Sequence, residues 1–315
     1  MKYRKLGNSG IDVSVIGHGT WAMGNDFFGD IDEKEAIKAI HASIDSGVNL
    51  VDTAAAYGHD GASEKVVGKA ICDRRDKVVL ATKLGQLRVF TEHYCICLQP
   101  ATMRIELENS LRYLQTDYID LYQIHRPDYN YGIEDGLHEL AKMKQEGKIR
   151  AIGVSNFDTD QIQTAIDIAD ISAVQPQLSI LHRETIEQNI LSFCLEHDIG
   201  TLTYGSLAGG ILSGKAKKLD VTGNELRSLF YNYYSEPMWS KCQQLLAVMK
   251  EIADAHNAQV AEVAINWSLA NPGVTSALTG ATKAEQALAN AKAADWELSK
   301  EEFDKIEGAY ADYIK

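Results

Sequence analysis

The sequence predicts an α/β protein closed as a (β/α)8 (TIM) barrel, with an N-terminal hairpin on the barrel floor and extra C-terminal helices. Three observations predict it. Short β-branched runs alternate with amphipathic helical patterns along the chain, at 13–16, 49–52, 78–83, 118–124, 151–154, 173–175, 201–204 and 275–278. Consecutive strands separated by helices pair in parallel, because a parallel neighbour needs a crossover. No Pro/Gly/Ser-rich linker divides the 315 residues, which hold five prolines, so one domain over 1–315 is expected. A doubly wound open sheet is the competing closure.

The elements follow in order. Residues 2–5 and 13–14 flank Asn8-Ser9-Gly10 and form the floor hairpin. Asp32, with Glu35 three positions on, opens the helical pattern of Ala36, Ile37, Ile40 and Ile44, which stops at Gly47. Pro100 stands as a first-turn proline before Met103, Leu107, Leu111 and Leu114. Ile133, Leu137, Leu140 and Met143 keep the same period up to Gly147, and Asp158 caps Ile162, Ala165 and Ile166. A long loop over 205–236, a helix before the eighth strand and a terminal helix after Leu298 are the additions to the barrel.

Composition excludes several function classes. With 31 Lys+Arg against 44 Asp+Glu the net charge is −13, which repels phosphate backbones, so no nucleic acid partner is expected. No apolar run reaches the roughly 18 residues of a membrane span. The start, MKYRKLGNSGIDVS, carries no apolar signal segment, so a cytoplasmic location is expected. Five cysteines, an odd number, argue against a disulfide framework, and Cys95 with Cys97 lacks a second pair at zinc-finger spacing, so no metal is expected.

In a barrel of this kind, catalytic groups stand at the C-terminal ends of several strands. Strand two ends in Asp52, with Tyr57 five residues on. Strand three ends in Lys83 and strand four in His125. A lysine in a low-dielectric mouth needs a counter-charge, which Asp52 can supply. A protonated Lys83 near Tyr57 would pull the phenol down from about 10 toward working pH, making Tyr57 a general acid. His125, as a neutral N–H donor, would orient a substrate carbonyl. Proton delivery to oxygen with hydride attack at carbon is carbonyl reduction, although spacing alone does not identify hydride. The string Gly17-His18-Gly19-Thr20-Trp21-Ala22 mimics a dinucleotide fingerprint, yet no helix pattern begins there.

These residues resemble the aldo-keto reductase family over nearly the whole chain. The matching strings are Gly19-Thr20-Trp21, Asp52-Thr53-Ala54 with Tyr57-Gly58 and Ser63-Glu64, Ala81-Thr82-Lys83, Asp117 to Leu121 with His125, Gly147 to Arg150, Gly153 to Phe157, Gln175, and Gly214-Lys215. The resemblance implies an NAD(P)-dependent oxidoreductase of the alcohol dehydrogenase or carbonyl reductase type, with a tetrad of Asp52, Tyr57, Lys83 and His125. It further implies that Ser155, Asn156 and Gln175 hold the nicotinamide carboxamide and that Tyr204 stacks on its ring. Gly205, Ser206, Leu207, Ala208 and Gly210 would wrap the pyrophosphate, with Lys215 nearby. Gly280, Thr282, Lys283, Gln286 and Asn290, with Arg227, would meet the adenosine end. Thr282 stands where many relatives carry Arg, so NADP is the expected cofactor and NAD the alternative.

The stretch 85–99 matches no family pattern and is expected to be a substrate-shaping loop. Trp21, Phe27, His59, Arg126 and Tyr129, with Asp128 and Tyr131, suggest a pocket mixing aromatic and charged groups, suited to a small carbonyl or sugar-like substrate. Two rival readings stay open. One is a barrel lyase forming a Schiff base on Lys83; the other is a cofactor-sensing barrel like the potassium-channel β subunits, against which the absence of a partner-binding extension weighs. Oligomeric state is not readable from the sequence.

Overall fold

The computed structural model describes residues 1–24, 28–90, 93–218 and 231–315; Phe27 and Arg227 lie outside the described residues. The N-terminal hairpin pairs β1 (Tyr3–Lys5) with β2 (Asp12–Ser14). The barrel strands are β3 (Ile16–Gly19), β4 (Leu50–Asp52) and β5 (Val79–Leu84), then, after a second hairpin of β6 (Gln86–Phe90) and β7 (His93–Ile96), β8 (Ile119–Ile124), β9 (Ile149–Ser155), β10 (Ile171–Gln175), β11 (Gly200–Thr203) and β12 (Val274–Gly280). All eight barrel strands run parallel and close in the order β10-β11-β12-β3-β4-β5-β8-β9. Their inward apolar residues include Leu50, Val79, Leu121, Ala151, Ala173 and Leu202, which form one cluster with Leu6, Ile11 and Val13 of the floor hairpin. The hairpin thus plugs the barrel's lower end. It lies so close that a Cβ on Gly7, whose φ is +48°, would stand 2.6 Å from the carbonyl oxygens of Asp198 and Ser172.

The strand boundaries differ from the sequence expectation by one or two residues, except for the first barrel strand, which is displaced by three. The first barrel strand is Ile16–Gly19 rather than 13–16, because Asp12–Ser14 is spent on the antiparallel hairpin. Gly17 has no β preference of its own; packing selects it. A Cβ there would approach Leu278 Cδ2 to 2.5 Å and Leu50 Cδ2 to 2.9 Å, so any larger residue would require these leucines to shift. The segment 85–99 also differs, being built around the β6–β7 hairpin instead of a loop. Residues 86–96 contain no Gly, Pro, Asn or Asp, so the usual hairpin signal is missing.

The helices form the outer layer: α1 (Glu33–Asp45), α2 (Ala62–Ile71), α3 (Pro100–Leu114), α4 (Glu134–Gln145), α5 (Thr159–Ile168), α6 (Glu184–Glu187), α7 (Ile190–Glu196), α8 (Met238–Ala255), α9 (Val260–Ala270), α10 (Ala284–Lys292) and α11 (Lys300–Tyr313). Asp32 accepts the Glu35 amide at 3.0 Å, and Asp158 forms a capping box with Gln161. The terminal helix is pinned by Arg183, which lies 3.5 Å from the Tyr310 ring centroid and pairs with Glu307 at 2.6 Å. Among the described residues no helix is long and apolar enough to cross a membrane.

Three buried carboxyls back the strands that carry the site. Glu106 on α3 accepts the Gly85 amide on both oxygens at 3.1 Å, fixing the start of the β6–β7 hairpin, and Asp128 fixes its end through the Leu98 amide at 3.1 Å. Glu64 on α2 accepts from Thr82 Oγ1 at 2.7 Å. Burial pushes Glu64 up to about 7 and Glu106 up to about 8, the latter aided by the Glu64 charge. Both values lie above those of an unfolded carboxyl, so the folded state binds more protons. Their contribution is therefore complete at low pH and is lost as pH rises through 7 and 8. The melting temperature should fall from pH 5 to 8, and Glu106→Gln should flatten that fall; an equally steep decline in the variant would refute the assignment.

Candidate active site

Four side chains converge at the C-terminal mouth of β4, β5 and β8. Asp52 and Lys83 are buried, and Lys83 Nζ donates to Asp52 Oδ1 at 2.6 Å, to the Thr53 carbonyl at 2.9 Å and to Tyr57 Oη at 3.3 Å. All three ammonium protons are thus used. Tyr57 accepts from Lys83, which leaves its own O–H to point outward. The loop carrying Tyr57 is tied to β5 through Ala55 N to the Lys83 carbonyl and is closed by Ser63 N to the Tyr57 carbonyl at 3.1 Å. Thr20, Thr53 and Ser63 hydroxyls share a buried network behind it. The His125 ring stands 5.7 Å from the Tyr57 ring at 79°, with its Nδ1 buried and without a hydrogen-bond partner among the described residues.

Electrostatics define what these groups can do. Burial lowers the Lys83 amine, opposed by the Asp52 charge that keeps the ion pair intact. Burial, then Asp52, pushes the Tyr57 phenol well above its usual value, and Arg126 pulls it back in part. This corrects the expectation that Lys83 would bring the phenol down. The Lys83 charge is already answered by Asp52 at 2.6 Å, so little of it remains for Tyr57. Burial, then the Lys83 and Arg126 charges, holds His125 well below its ordinary value, so the imidazole is neutral at physiological pH. The mouth therefore holds a protonated phenol with a free O–H beside a neutral imidazole, an arrangement able to hand a proton to a carbonyl oxygen.

Strands β9 to β12 supply a second, polar half. Ser155 Oγ donates to the Gln175 carbonyl at 2.7 Å. Asn156 Nδ2 donates to the His125 carbonyl at 2.9 Å, while Tyr204 Oη donates to Asn156 Oδ1 at 2.8 Å. Gln175 Nε2 donates to Asp52 Oδ2 at 2.8 Å, so Gln175 touches the tetrad as well as the polar half. After Tyr204, the loop takes positive φ at Gly205, Ala208, Gly209 and Gly210, while Ser206 Oγ donates to the Leu278 carbonyl and Leu207 is half-buried. Thr20 Oγ1 donates to the Asp52 carbonyl at 3.0 Å, and Trp21 lies 6.3 Å from the Tyr57 ring. Gln286 Oε1 accepts from the Thr282 and Lys283 amides, and Asn290 Nδ2 donates to the Gly280 carbonyl. Lys283 is exposed; Lys215 Nζ donates to Gln259 Oε1 at 2.7 Å.

These residues fit a nicotinamide dinucleotide. Gly19 and Gly280 are register partners at the tips of β3 and β12, and a Cβ on either would meet no atom nearer than 3.9 Å, leaving open space over them. Side-chain amides, a half-buried tyrosine ring and exposed ammonium groups are the donor set that an amide, a flat heteroaromatic ring and phosphates require.

Not every candidate is brought to this mouth. His59 is exposed and lines a separate groove of about 440 Å³ between α1, α2 and the end of α3, with Lys65, Lys69 and Tyr113. Tyr129 and Tyr131 project into solvent at 83% and 62% exposure. Asp128 is buried and spends its carboxylate on the amides of Leu98, Asn130 and Tyr131. Arg126, by contrast, stands at the mouth, exposed and directly after His125. The sequence reading overlooked Gln123, whose Nε2 reaches Asp52 Oδ2 at 3.4 Å; standing two residues before His125, it shares that strand face. Tyr94 on β7, within the stretch 85–99 expected to shape the substrate, is near enough to influence Tyr57 electrostatically.

Comparison with known proteins agrees with this fold. The profile of the Aldo/keto reductase family matches residues 15–311. Aldo-keto reductase YhdN of Bacillus subtilis (strain 168) is 38% identical over 306 residues, 96% of this chain and 91% of that protein. Among solved structures, glycerol dehydrogenase AKR11B4 from Gluconobacter oxydans is similar with a TM-score of 0.89 at 33% identity, covering 99% of this chain and 95% of the other. An aldo/keto reductase from Klebsiella pneumoniae in complex with NADP and acetate gives 0.75 at 30% identity, covering 98% and 96%. The closed barrel and a family match over nearly the whole length together establish that this chain belongs to the aldo/keto reductase family of NAD(P)-dependent oxidoreductases.

Proposed function

We propose that this single domain, 1–315, interconverts a small carbonyl compound and its alcohol, with Tyr57 as general acid in reduction and general base in oxidation. The observation that carries this reading is the Lys83 ammonium bridging Asp52 at 2.6 Å and Tyr57 Oη at 3.3 Å beside the His125 ring. Lys83 holds the phenol oxygen in place, Asp52 keeps Lys83 charged, and His125 orients the carbonyl. When bound, the nicotinamide cofactor supplies or accepts the hydride. Ser155, Asn156, Gln175 and Tyr204 would hold its nicotinamide end, with Gly19, Thr20, Trp21 and Asp52 bordering it. Residues Gly205, Ser206, Leu207, Ala208, Gly210 and Lys215 would hold the pyrophosphate, and Gly280, Thr282, Lys283, Gln286 and Asn290 the adenosine end. The Schiff-base reading is less well supported, since an amine donating three hydrogen bonds has no lone pair to offer. A sugar or polyol is the favoured neutral substrate class, in keeping with the polar mouth and the glycerol dehydrogenase among the similar structures.

Fluorescence titration with NADPH and NADH, followed by a carbonyl and sugar-alcohol panel in both directions, tests the reading; cofactor binding without turnover on that panel would favour a sensing role. A phenol held well above its ordinary value has a consequence for pH. Reduction should keep its acid through neutral and mildly alkaline pH, whereas alcohol oxidation, which needs the phenolate, should rise with pH. Reduction that rises with pH, or alcohol oxidation that falls with it, would overturn the tyrosine assignment. For NADP preference, Lys283→Ala should weaken NADPH binding by about tenfold, the worth of one exposed charge-assisted contact, and NADH binding by much less. Equal effects on both cofactors would remove Lys283 from the 2′-phosphate.

A further inference from the structure

The chain carries a net charge of −13, so acidic partners for its cations are plentiful. Arg74, Arg75, Arg104, Arg150 and Arg183 are each ion-paired with an Asp or Glu. Arg126 is different. It is exposed, and the structure gives it no hydrogen bond or ion pair among the described residues.

Its placement is nonetheless fixed on both sides. His125 N donates to the Leu84 carbonyl at 2.9 Å, and the His125 carbonyl accepts from Asn156 Nδ2 at 2.9 Å. On the other side Pro127 is buried, and Asp128, the nearest carboxylate in sequence, is consumed by three backbone amides. That carboxylate is therefore unavailable to the guanidinium. A flexible surface arginine would be carried on a free loop; this one is presented from a tethered strand tip directly after the imidazole. It follows directly on His125, whose ring stands 5.7 Å from Tyr57 and whose carbonyl accepts from Asn156, the partner of Tyr204, so it leaves the chain where both halves of the site meet. In keeping with that position, its charge acts on Tyr57, His125 and Tyr204.

We propose that Arg126 is a specificity residue that binds an anionic oxygen group, carboxylate or phosphate, on the carbonyl substrate, so that the preferred substrates are oxo-acids or phosphorylated aldehydes. A guanidinium presents paired N–H donors that match such a group, and an exposed cation gains little from a neutral polyol. The inference rests on the proposed carbonyl reduction. Tyr57 gives its proton to the carbonyl oxygen while the carbonyl carbon takes the hydride that a bound reduced nicotinamide would supply, leaving the alcohol and the oxidised cofactor, and the anionic group on Arg126 is unchanged.

Matched substrate pairs test it: butanal against 4-oxobutanoate, and glyceraldehyde against glyceraldehyde 3-phosphate. The wild type should favour the anionic member by about tenfold in kcat/KM, mainly through KM, and the ratio should collapse toward one in Arg126→Gln. Arg126→Lys should retain part of it, because a point charge remains. The preference should also shrink as ionic strength rises from about 0.01 M to about 0.15 M. The pair with the larger ratio tells carboxylate from phosphate. A wild type that does not discriminate in either pair, or an Arg126→Gln variant that keeps the ratio, overturns the proposal. Binding of butanoate and butan-1-ol to the cofactor-loaded protein, read by tryptophan quenching, decides the matter even without turnover. Butanoate should bind about tenfold more tightly to wild type than to Arg126→Gln, with butan-1-ol showing no such difference. Absence of turnover on butanal would count against carbonyl reduction, whereas equal butanoate affinities would count against Arg126.

Discussion

Tyr57→Phe should lower carbonyl reduction by about 10²- to 10⁴-fold, the range in which a positioned general acid contributes. Cofactor affinity should stay within about twofold, since the phenol oxygen has no part in cofactor binding. The substitution is conservative for packing. The ring keeps its contacts with Trp21, at 6.3 Å, and with His125, at 5.7 Å, and Lys83 Nζ remains 5.0 Å from the ring centroid. Lys83 loses only its longest hydrogen bond, at 3.3 Å, and retains Asp52 and the Thr53 carbonyl. Stability should therefore fall by no more than about 1 kcal/mol. Steady-state kinetics combined with cofactor titration read both outcomes. A variant that turns over at the wild-type rate would remove Tyr57 from proton delivery, and one that loses cofactor binding would give it a structural role instead.

The parts of this site that could be read from sequence share a physical reason. Asp52, Lys83 and His125 are charged or titratable groups at the tips of apolar strands, and a barrel turns such tips toward one mouth. Periodicity finds the strand, and the end of the strand finds the residue. What it misses is contact between elements. The amides of Gln123 and Gln175 meet at Asp52 from strands far apart in the chain, and no local pattern links them. The β6–β7 hairpin escaped because its residues lack turn chemistry, while its ends are held by Glu106 and Asp128 from distant helices and loops. Strand β3 was displaced by three residues because Asp12–Ser14 pairs in the floor hairpin, and Gly17, which has no β preference, packs closely against Leu278 and Leu50. The Tyr57 phenol was misjudged for a similar reason: pairwise reasoning assigned it the Lys83 charge, whereas the whole cluster had already given that charge to Asp52.

Asp52→Ala is the substitution with the largest expected effect on stability. It leaves the buried Lys83 ammonium facing only the Thr53 carbonyl and the Tyr57 oxygen, and it strips the Gln175 amide of an acceptor at 2.8 Å. Breaking a buried pair by removing one partner costs about 3–5 kcal/mol, because the other charge is left uncompensated. At roughly 2 °C or more per kcal/mol for a domain of this size, the melting temperature should drop by about 10 °C. The loss should also depend on pH in a definite direction. Burial already lowers the Lys83 amine, and without Asp52 only the weaker influence of Tyr204 and Glu64 opposes it, so the folded variant binds fewer protons than the unfolded chain. Its stability must then recover as pH rises toward the ordinary lysine value. Lys83→Met in the same background removes the stranded charge. The double variant should be more stable than Asp52→Ala alone and should lose the pH-dependent recovery, while both remain catalytically impaired because Tyr57 has lost the ammonium or the group that positions it. Additive losses in the double variant would mean that Asp52 and Lys83 act independently, and the ion pair at 2.6 Å would then not be what holds Tyr57 at the barrel mouth.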